Sequence, residues 1–143
     1  MASAGYSGRS LTQKLGVKPG SVVRPIDAPA HYAALLDPLP EGARLDAAAG
    51  EAAIIHAFVR CVRDLEAIGA RLVEMPGPGG AIWISWPKKN SAMFVDLTED
   101  GVRRLMLPTG WVDVKVCAVD ADWSGLKFLR RRVRPPARGG RAG

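Results

Sequence analysis

Seven polar or aromatic residues follow predicted strands, at positions where a ligand could bind. Two form a lysine pair directly after the apolar segment AIWISWP (residues 81–87), two follow the first predicted strand, and three lie in a turn near the C-terminal end. They are Asp27, His31, Lys88, Lys89, Asp120, Trp123 and Ser124. In open α/β sheets, ligands bind beyond the carboxyl ends of parallel strands. The sequence therefore predicts one rim that binds an anionic ligand or a protein partner, although solvation alone also explains polar strand ends.

The sequence indicates no metal site and no catalytic residue. His31 and His56 are isolated, and no spacing of Cys, His and Asp suits zinc. No GxSxG nucleophile motif occurs, and neither Cys61 nor Cys117 has a histidine nearby in the sequence. A hydrogen-bonded core position is favoured for His56, because it lies in a predicted buried strand. Both cysteines are predicted to be reduced, because neither belongs to a CxxC pair.

The basic charge is concentrated at the C-terminal end. The last fourteen residues contain six arginines and no acidic residue, and these arginines account for the whole formal net charge of +6. They are Arg130, Arg131, Arg132, Arg134, Arg138 and Arg141. Such a segment either binds the phosphates of a nucleic acid or serves only as a solubilising end. We predict a disordered N-terminus over residues 1–9, one domain over 10–129 and a basic tail over 130–143.

Length and composition exclude several classes of protein. The chain has 143 residues, of which 48% are hydrophobic and 24% charged, and this fits one globular domain. No apolar run approaches the ~18 residues that span a membrane. The N-terminus also lacks the apolar block of a secretory signal. We therefore expect a cytoplasmic protein without a membrane segment.

Hydrophobic patterns predict alternating strands and helices, as in an α/β sheet with an antiparallel edge. Strands are predicted at 21–26, 43–46, 52–58, 81–86, 111–119 and 126–133, and helices at 11–15, 30–36, from about 58 to 73, and after 96. Only about five residues separate the second strand from the third, too few for an ordinary parallel crossover. The second strand is therefore expected to be short, antiparallel or absent. Pro25 weakens the prediction of the first strand, because proline cannot donate a hydrogen bond within a central strand.

Three local patterns give finer predictions. Trp83 and Trp86 stand three apart in a strand and should lie on opposite faces of the sheet. The segment from Asp96 to Glu99 is typical of a capping box that opens a helix. The alternation from residue 112 to 116 puts three valines on one face and two charged residues on the other. These are Val112, Val114 and Val116, and Asp113 and Lys115.

From Ala52 onward, this order of elements resembles the second half of class I S-adenosylmethionine-dependent methyltransferases. The segments WPKKNS, DLTEDGVRRLMLPTGWVDVKVCAVDADWSGLKFLRRR and GYSGRSLTQKLGVKPG resemble a family of small uncharacterised bacterial proteins, a domain of unknown function. The resemblance implies a three-layer, Rossmann-like α/β fold. Its mostly parallel sheet would have five or six strands and a C-terminal antiparallel hairpin. In methyltransferases, a glycine-rich turn after the first strand binds the cofactor, whereas residues 26–31 here contain Pro29 and no glycine.

Three functions are consistent with these patterns. The first is a non-catalytic, methyltransferase-like binding or interaction domain that needs no cofactor and meets its ligand or partner at the predicted rim. The second is a divergent methyltransferase that binds S-adenosylmethionine without the glycine turn. The third is a nucleic-acid-associated protein that acts through its basic C-terminal tail.

Overall fold

The computed structural model describes residues 10–131, which form one six-stranded sheet with helices on both faces. The strands are β1 (Val22–Ile26), β2 (Arg44–Leu45), β3 (Ala52–Phe58), β4 (Pro76–Pro87), β5 (Trp111–Ala118) and β6 (Trp123–Arg130). The helices are α1 (Leu11–Leu15), α2 (Tyr32–Leu35), α3 (Val62–Leu72) and α4 (Glu99–Met106), followed by a 3₁₀ turn at Leu107–Thr109. The strand order is β2-β1-β3-β4-β6-β5, and β6 alone runs in the direction opposite to the other five strands. The predicted fold class is confirmed.

Two apolar cores lie on opposite faces of the sheet. The core on one face contains Trp86 together with buried side chains of α3 and α4. The core on the other face contains Trp83 together with those of α1 and α2, and the indole Nε1 of Trp83 donates to the carbonyl of Leu15 at 3.2 Å. The two tryptophans therefore lie on opposite faces, as predicted. Among residues 10–131, no helix is long and apolar enough to cross a membrane.

The first strand is present despite Pro25, and it lies between β2 and β3, so the proline occupies a central strand. The carbonyl of Val23 faces β2, because it accepts the amide of Asp46 at 2.9 Å. Alternate residues of a strand face the same way, so the missing amide of Pro25 also faces the β2 side. Strand β2 ends at Leu45, level with Val23. It is too short to reach Pro25, so the proline removes no hydrogen bond between the strands.

Strand β2 is short and parallel to β1, so one of the three expected alternatives is correct. The absence of a long crossover has a geometric reason. Leu45 and Ile54 both lie level with Val23, one on each side of β1. Between the end of β2 and the start of β3, the chain therefore has to move back along the axis of the strands by only a short distance. The guanidinium of Arg24 donates to the carbonyl of Ala49 at 2.7 Å and holds this connection against the sheet.

Strand β4 begins at Pro76, five residues before its predicted start at Ala81, and its Pro/Gly segment forms a bulge. The pairing with β3 jumps from Ala52–Pro76 to Ile54–Ala81, so two residues on β3 are matched by five on β4. Gly79 has a φ of 75°, and a Cβ on Gly80 would lie 2.8 Å from the Cβ of Pro76. The bulge therefore requires glycine at both positions.

A second bulge breaks the predicted alternation in β5. The register with β6 shifts between Asp113 and Lys115. Asp113 accepts from Arg103 of α4 on one face, whereas Lys115 donates to the carbonyl of Lys14 in α1 on the other. The prediction that Asp113 and Lys115 share a face is therefore wrong, because the bulge inserts Val114 as an unpaired residue. Val114 is 50% exposed.

The predicted capping box at Asp96 is also wrong. Helix α4 begins at Glu99, and its N-cap is Thr98, whose hydroxyl accepts the amide of Gly101 at 3.2 Å. Asp96 instead accepts the amide of Val62 at 2.9 Å, at the start of α3. Cys61, the N-cap of α3, makes no side-chain cap. A carboxylate from the loop before α4 therefore caps a helix 34 residues earlier in the chain.

We predict that Asp96→Ala lowers the free energy of unfolding by about 1 kcal/mol, because α3 loses a charged acceptor at its N-terminus. Urea denaturation at neutral pH measures the change. The control is Glu74→Ala, which removes an exposed carboxylate just beyond the C-terminal end of α3 and should change stability by less than about 0.5 kcal/mol. An equal loss in the two variants would show that Asp96 does not cap α3.

Candidate functional site

A cavity of about 530 Å³ lies at the carboxyl end of β4. It is bounded by the end of β4, the start of β6 and the first turn of α4. The lining residues are Trp86, Lys88, Lys89, Thr98, Glu99, Asp100 and Ser124. Three of the seven candidates, Lys88, Lys89 and Ser124, are therefore brought together here.

Backbone contacts fix the loop that carries the lysine pair. Pro87 ends β4 opposite Trp123, where β6 begins. The amide of Lys88 donates to the carbonyl of Asp122 at 2.8 Å, and the hydroxyl of Ser91 donates to the Asp122 carboxylate at 3.0 Å. The β5–β6 turn therefore holds both ends of the segment 88–91 and sets the position of the two lysines at the cavity.

The charges around this cavity are unequally compensated. Arg103 forms ion pairs with Glu99, Asp100 and Asp113, and the hydrogen bonds that it donates to Asp113 and Glu99 raise its pKa further above its ordinary value. The hydrogen bond from Arg103 lowers the pKa of the Asp113 carboxyl. Neither Lys88 nor Lys89 forms an ion pair with any of residues 10–131. Three carboxylates thus share the single positive charge of Arg103 and are compensated only in part, whereas the lysine wall has no carboxylate partner among residues 10–131 and is left to attract an anion.

His31 and Asp120 meet at a second place. The His31 Nε2 lies 2.8 Å from a carboxylate oxygen of Asp120, which joins the segment before α2 to the β5–β6 turn. The other carboxylate oxygen of Asp120 accepts the amides of Asp122 and Trp123. Partial burial alone would raise the pKa of Asp120, but the hydrogen bonds from His31 and the two amides lower it. This contact spans the carboxyl ends of the strands between β1 and β6.

Trp123 does not lie in a loop, which corrects its predicted placement. It is the first residue of β6, which begins three residues earlier than predicted, and only 2% of its surface is exposed. Its ring packs edge to face on Phe58, with centroids 5.0 Å apart. The guanidinium of Arg60 lies over the indole, 5.6 Å from its centroid. Trp123 is therefore a core residue covered by Arg60 rather than an exposed aromatic group of the rim.

Asp27 lies apart from the other candidates. It follows β1 with a φ of 55°, a left-handed conformation that Asp tolerates better than most residues. It lines a separate cavity of about 260 Å³ together with the end of β3 and one side of α3. The seven candidates therefore do not share one rim, because the strands that carry them end at different positions across the sheet.

Sequence reasoning missed a buried chain of hydrogen bonds through His56. The two ring nitrogens of His56 lie 2.8 Å from the Tyr32 hydroxyl and 2.7 Å from the Ser85 hydroxyl, and His56 and Ser85 are fully buried. Burial lowers the pKa of His56 to about 3 and raises that of Tyr32 above its ordinary value. The predicted core position of His56 is correct. The sequence signal for its partner was Ser85, the one hydroxyl within the apolar segment of β4.

The arginines at the C-terminal end fall into two groups. Arg130 is the last residue of β6, and its guanidinium stacks over Trp111, 4.8 Å from the ring centroid. The amide of Arg131 donates to the carbonyl of Gly110 at 2.7 Å. Arg130 therefore belongs to the sheet and not to a separate tail. The predicted candidates Arg132, Arg134, Arg138 and Arg141 lie outside the described residues, as does the predicted disordered segment 1–9.

Within residues 10–131, no group of three or more His, Cys, Asp or Glu side chains is placed to hold a metal ion. Cys61 and Cys117 are both free and half-buried. Partial burial raises the pKa of the Cys117 thiol, although nearby lysines act in the opposite direction. A raised pKa disfavours the reactive thiolate at neutral pH.

Solved structures of methyltransferases are similar to this chain in fold. A SAM-dependent methyltransferase from Aquifex aeolicus matches with a TM-score of 0.61 and 13% identity, over 81% of this chain and 85% of that one. Fibrillarin from Aeropyrum pernix, in complex with natively bound S-adenosyl-L-methionine, matches with a TM-score of 0.57 and 10% identity, over 84% and 73%. A possible exported protein from Bordetella parapertussis matches with a TM-score of 0.61 and 12% identity, over 85% of this chain and 66% of that protein.

At these identities the likeness shows the fold alone. No family model matches the chain, and no curated protein matches it either. The chain therefore has the Rossmann-like fold of class I S-adenosylmethionine-dependent methyltransferases, and its activity has to be inferred from its own residues.

We predict that His56 makes the protein lose stability as the pH falls below about 6.5. Its pKa is depressed to about 3 in the folded state, so the unfolded chain binds the proton more readily at acid pH. The stabilisation is complete above about pH 6.5 and declines by about 1.4 kcal/mol per pH unit toward pH 3. Urea denaturation across this range measures the decline.

The comparison variant is His56→Gln, which cannot titrate in this range. It should be less stable than the wild type near neutral pH, because one buried partner loses its hydrogen bond. The difference between the two proteins should narrow by about 2–3 kcal/mol between about pH 7 and about pH 4.5. His31→Gln, which removes the other, exposed histidine, should keep the acid-dependent loss. A constant difference between wild type and His56→Gln would exclude His56 as its source.

Proposed function

We propose that this chain is a non-catalytic binding domain on a methyltransferase-like fold. Its ligand site is the cavity at the carboxyl end of β4, and the ligand presents an anionic group to Lys88 and Lys89. That group is carried by a small molecule or by a protein partner. The observation that carries the proposal is the cavity of about 530 Å³ in which the lysine pair has no carboxylate partner among residues 10–131.

The size of the two cavities favours the site at β4. Pockets for small molecules commonly measure about 300–1,000 Å³. The cavity at the lysine pair, about 530 Å³, lies within this range, and the cavity at Asp27, about 260 Å³, lies below it. Trp86 and Ser124 add an apolar wall and a hydroxyl, which is the mixed lining that positions a ligand.

The segment after β1 is poorly suited to a nucleotide cofactor. The family resemblance implies a glycine-rich turn at this place, and this chain has residues 26–31 without glycine. Pro29 supplies no amide, and its carbonyl accepts the amide of Tyr32 at 3.0 Å. Asp27 takes the left-handed conformation with a side chain present. These features leave few backbone amides to receive a ligand and little room for close approach.

Side chains also occupy the space above the strand ends on the α1/α2 face. The contact between His31 and Asp120 crosses from the segment after β1 to the β5–β6 turn. Below it, Phe58 packs on Trp123, and Arg60 covers the indole. A cofactor that reached from the end of β1 across this face would have to displace these contacts, which supports a domain that does not transfer methyl groups.

The second candidate is a divergent methyltransferase. The cavity at Asp27 favours it, because β1 and β3 are neighbours from which the chain runs in opposite directions across the sheet. Such a switch point is where open α/β sheets bind their ligands. For either function, we propose that the protein lies in the cytoplasm and that it is related to the small bacterial family. Nucleic-acid association through the arginine tail remains the third candidate from the sequence.

We predict that S-adenosylmethionine and S-adenosylhomocysteine do not raise the Tm of this protein. A ligand present at about 100 times its Kd stabilises the native state by about 2.7 kcal/mol, which a thermal-shift assay detects readily. The Aquifex aeolicus methyltransferase serves as the positive control under the same conditions. A rise in Tm that Asp27→Ala abolishes would overturn the proposal and establish the second candidate.

We predict that replacing Lys88 and Lys89 together by glutamine abolishes stabilisation by small anions. The probes are citrate, inorganic phosphate and a nucleoside monophosphate, each tested for its effect on the Tm. The matched control is the pair Arg63→Gln and Arg104→Gln, which removes two charges at exposed positions outside the cavity. At least one anion should stabilise the wild type and the control but not the lysine variant. Stabilisation that persists without the lysines, or that no anion produces, would contradict the site.

A further inference from the structure

A second group of lysines lies on the α1/α2 face of the sheet, away from the cavity. Lys115 and Lys127 are cross-strand partners in β5 and β6. The amine of Lys115 donates to the carbonyl of Lys14 at 3.3 Å, and the amine of Lys127 lies beside Gly16 at the C-terminal end of α1. Lys18 follows two residues after Gly16. We call Lys14, Lys18, Lys115 and Lys127 the lysine cluster.

The repulsion among three lysines of this cluster is not relieved by acidic groups of residues 10–131, because none of Lys18, Lys115 and Lys127 forms an ion pair with them. The pKa of Lys127 is lowered, first by partial burial and then by the charges of Lys115 and Lys18. Like charges held this close destabilise the protein unless an anion offsets them.

Capping of α1 accounts for only part of the cluster. Cations near the last carbonyls of a helix are favourable, and Lys115 makes such a contact. Helix α1 has only five residues, and the hydrogen bonds within residues 10–131 include none from the side chains of Lys18 or Lys127. Lys18 and Lys127 therefore have no side-chain hydrogen bond or ion pair with any of residues 10–131.

The position of the cluster indicates an extended ligand. Lys127 pairs with Trp83 in the middle of β4. The turn that carries Lys18 leads into β1 at the amino end of the parallel strands. The lysines thus extend from the centre of this face toward that end. Arg130 does not continue the row, because its guanidinium lies over Trp111 in the core of the opposite face. A chain of evenly spaced phosphates matches such a row better than a single anion does.

We propose that the lysine cluster binds the phosphate backbone of a nucleic acid. The contact is electrostatic and independent of base sequence, because the described part of this face presents lysines and no exposed aromatic ring for stacking. This surface lies on the folded domain and is independent of the proposed anion site at Lys88 and Lys89.

The test uses the full chain and fluorescence anisotropy with a labelled 20-nucleotide single-stranded RNA and a duplex DNA of the same length, over a series of salt concentrations. Replacing Lys115 and Lys127 by glutamine should weaken RNA binding about tenfold at low salt. It should also reduce the log–log salt slope by about 1.4, since each lost phosphate contact on a single strand contributes about 0.7. The relative losses for RNA and DNA tell which nucleic acid the surface prefers.

The control removes the same charge from the α3/α4 face of the sheet. The variant with Arg63 and Arg104, both exposed, replaced by glutamine should bind RNA as the wild type does. Lys18→Gln, at an exposed position whose side chain forms no hydrogen bond with residues 10–131, should keep the Tm and still reduce the slope by about 0.7. This single variant keeps the test valid if the double variant at Lys115 and Lys127 unfolds.

Three results would overturn the proposal. The first is an equal loss of RNA binding in the variant with Arg63 and Arg104 replaced by glutamine. The second is unchanged binding in the cluster variants while replacement of Arg132, Arg134, Arg138 and Arg141 by glutamine abolishes it, which would assign the contact to the tail. The third is equally strong competition by polyglutamate at the same charge concentration, which would assign the surface to an acidic protein.

Discussion

The burial of β4 on both of its faces is the constraint on which the rest of the structure depends. Ile82, Trp83 and Ile84 are fully buried, and each contributes about 1.5–3 kcal/mol relative to exposure. Alternate side chains enter different cores, so the helices of both layers have to pack against this one strand. Its length also fixes where the polar groups begin, because β4 ends at Pro87 and the lysine pair follows at once.

Features that depend on nearby residues could be predicted from the sequence. The apolar segment of β4, the helical spacing of α3 and the core position of His56 are local patterns, and each is found in the structure. Features that depend on distant residues could not. The bulge in β5 depends on its pairing with β6. Asp96 accepts the first amide of α3 rather than an amide of α4, the helix that follows it in the chain. Local spacing predicts an acceptor near a helix start, but not which helix it caps.

The candidate site could likewise be predicted only in part from local sequence patterns. The sequence predicted the end of β4 as a ligand position, and Lys88, Lys89 and Ser124 do meet there. It predicted one rim because carboxyl ends of parallel strands share an edge, but side chains at one edge can point to different faces. Asp27 lines a cavity together with side chains of α3, whereas His31 and Asp120 meet on the α1/α2 side. Trp123 is drawn into the core by Phe58, a contact between residues 65 positions apart that no local pattern reveals.

The two basic regions are far enough apart to act independently. Lys127 is level with Trp83 of β4, and Lys88 follows Trp83 by five residues, directly after the end of that strand. At about 3.3 Å per residue the separation is about 17 Å, roughly twice the distance over which physiological salt screens a charge. An anion bound at Lys88 therefore changes the potential at the lysine cluster very little. The charges of residues 1–129 sum to zero, and this sum conceals the arrangement. Acidic groups paired with Arg103 lie near Lys88 and Lys89, whereas no acidic group within residues 10–131 pairs with Lys18, Lys115 or Lys127. Net charge alone thus assigned the basic character to the arginine tail, whereas the folded surface carries a basic region of its own.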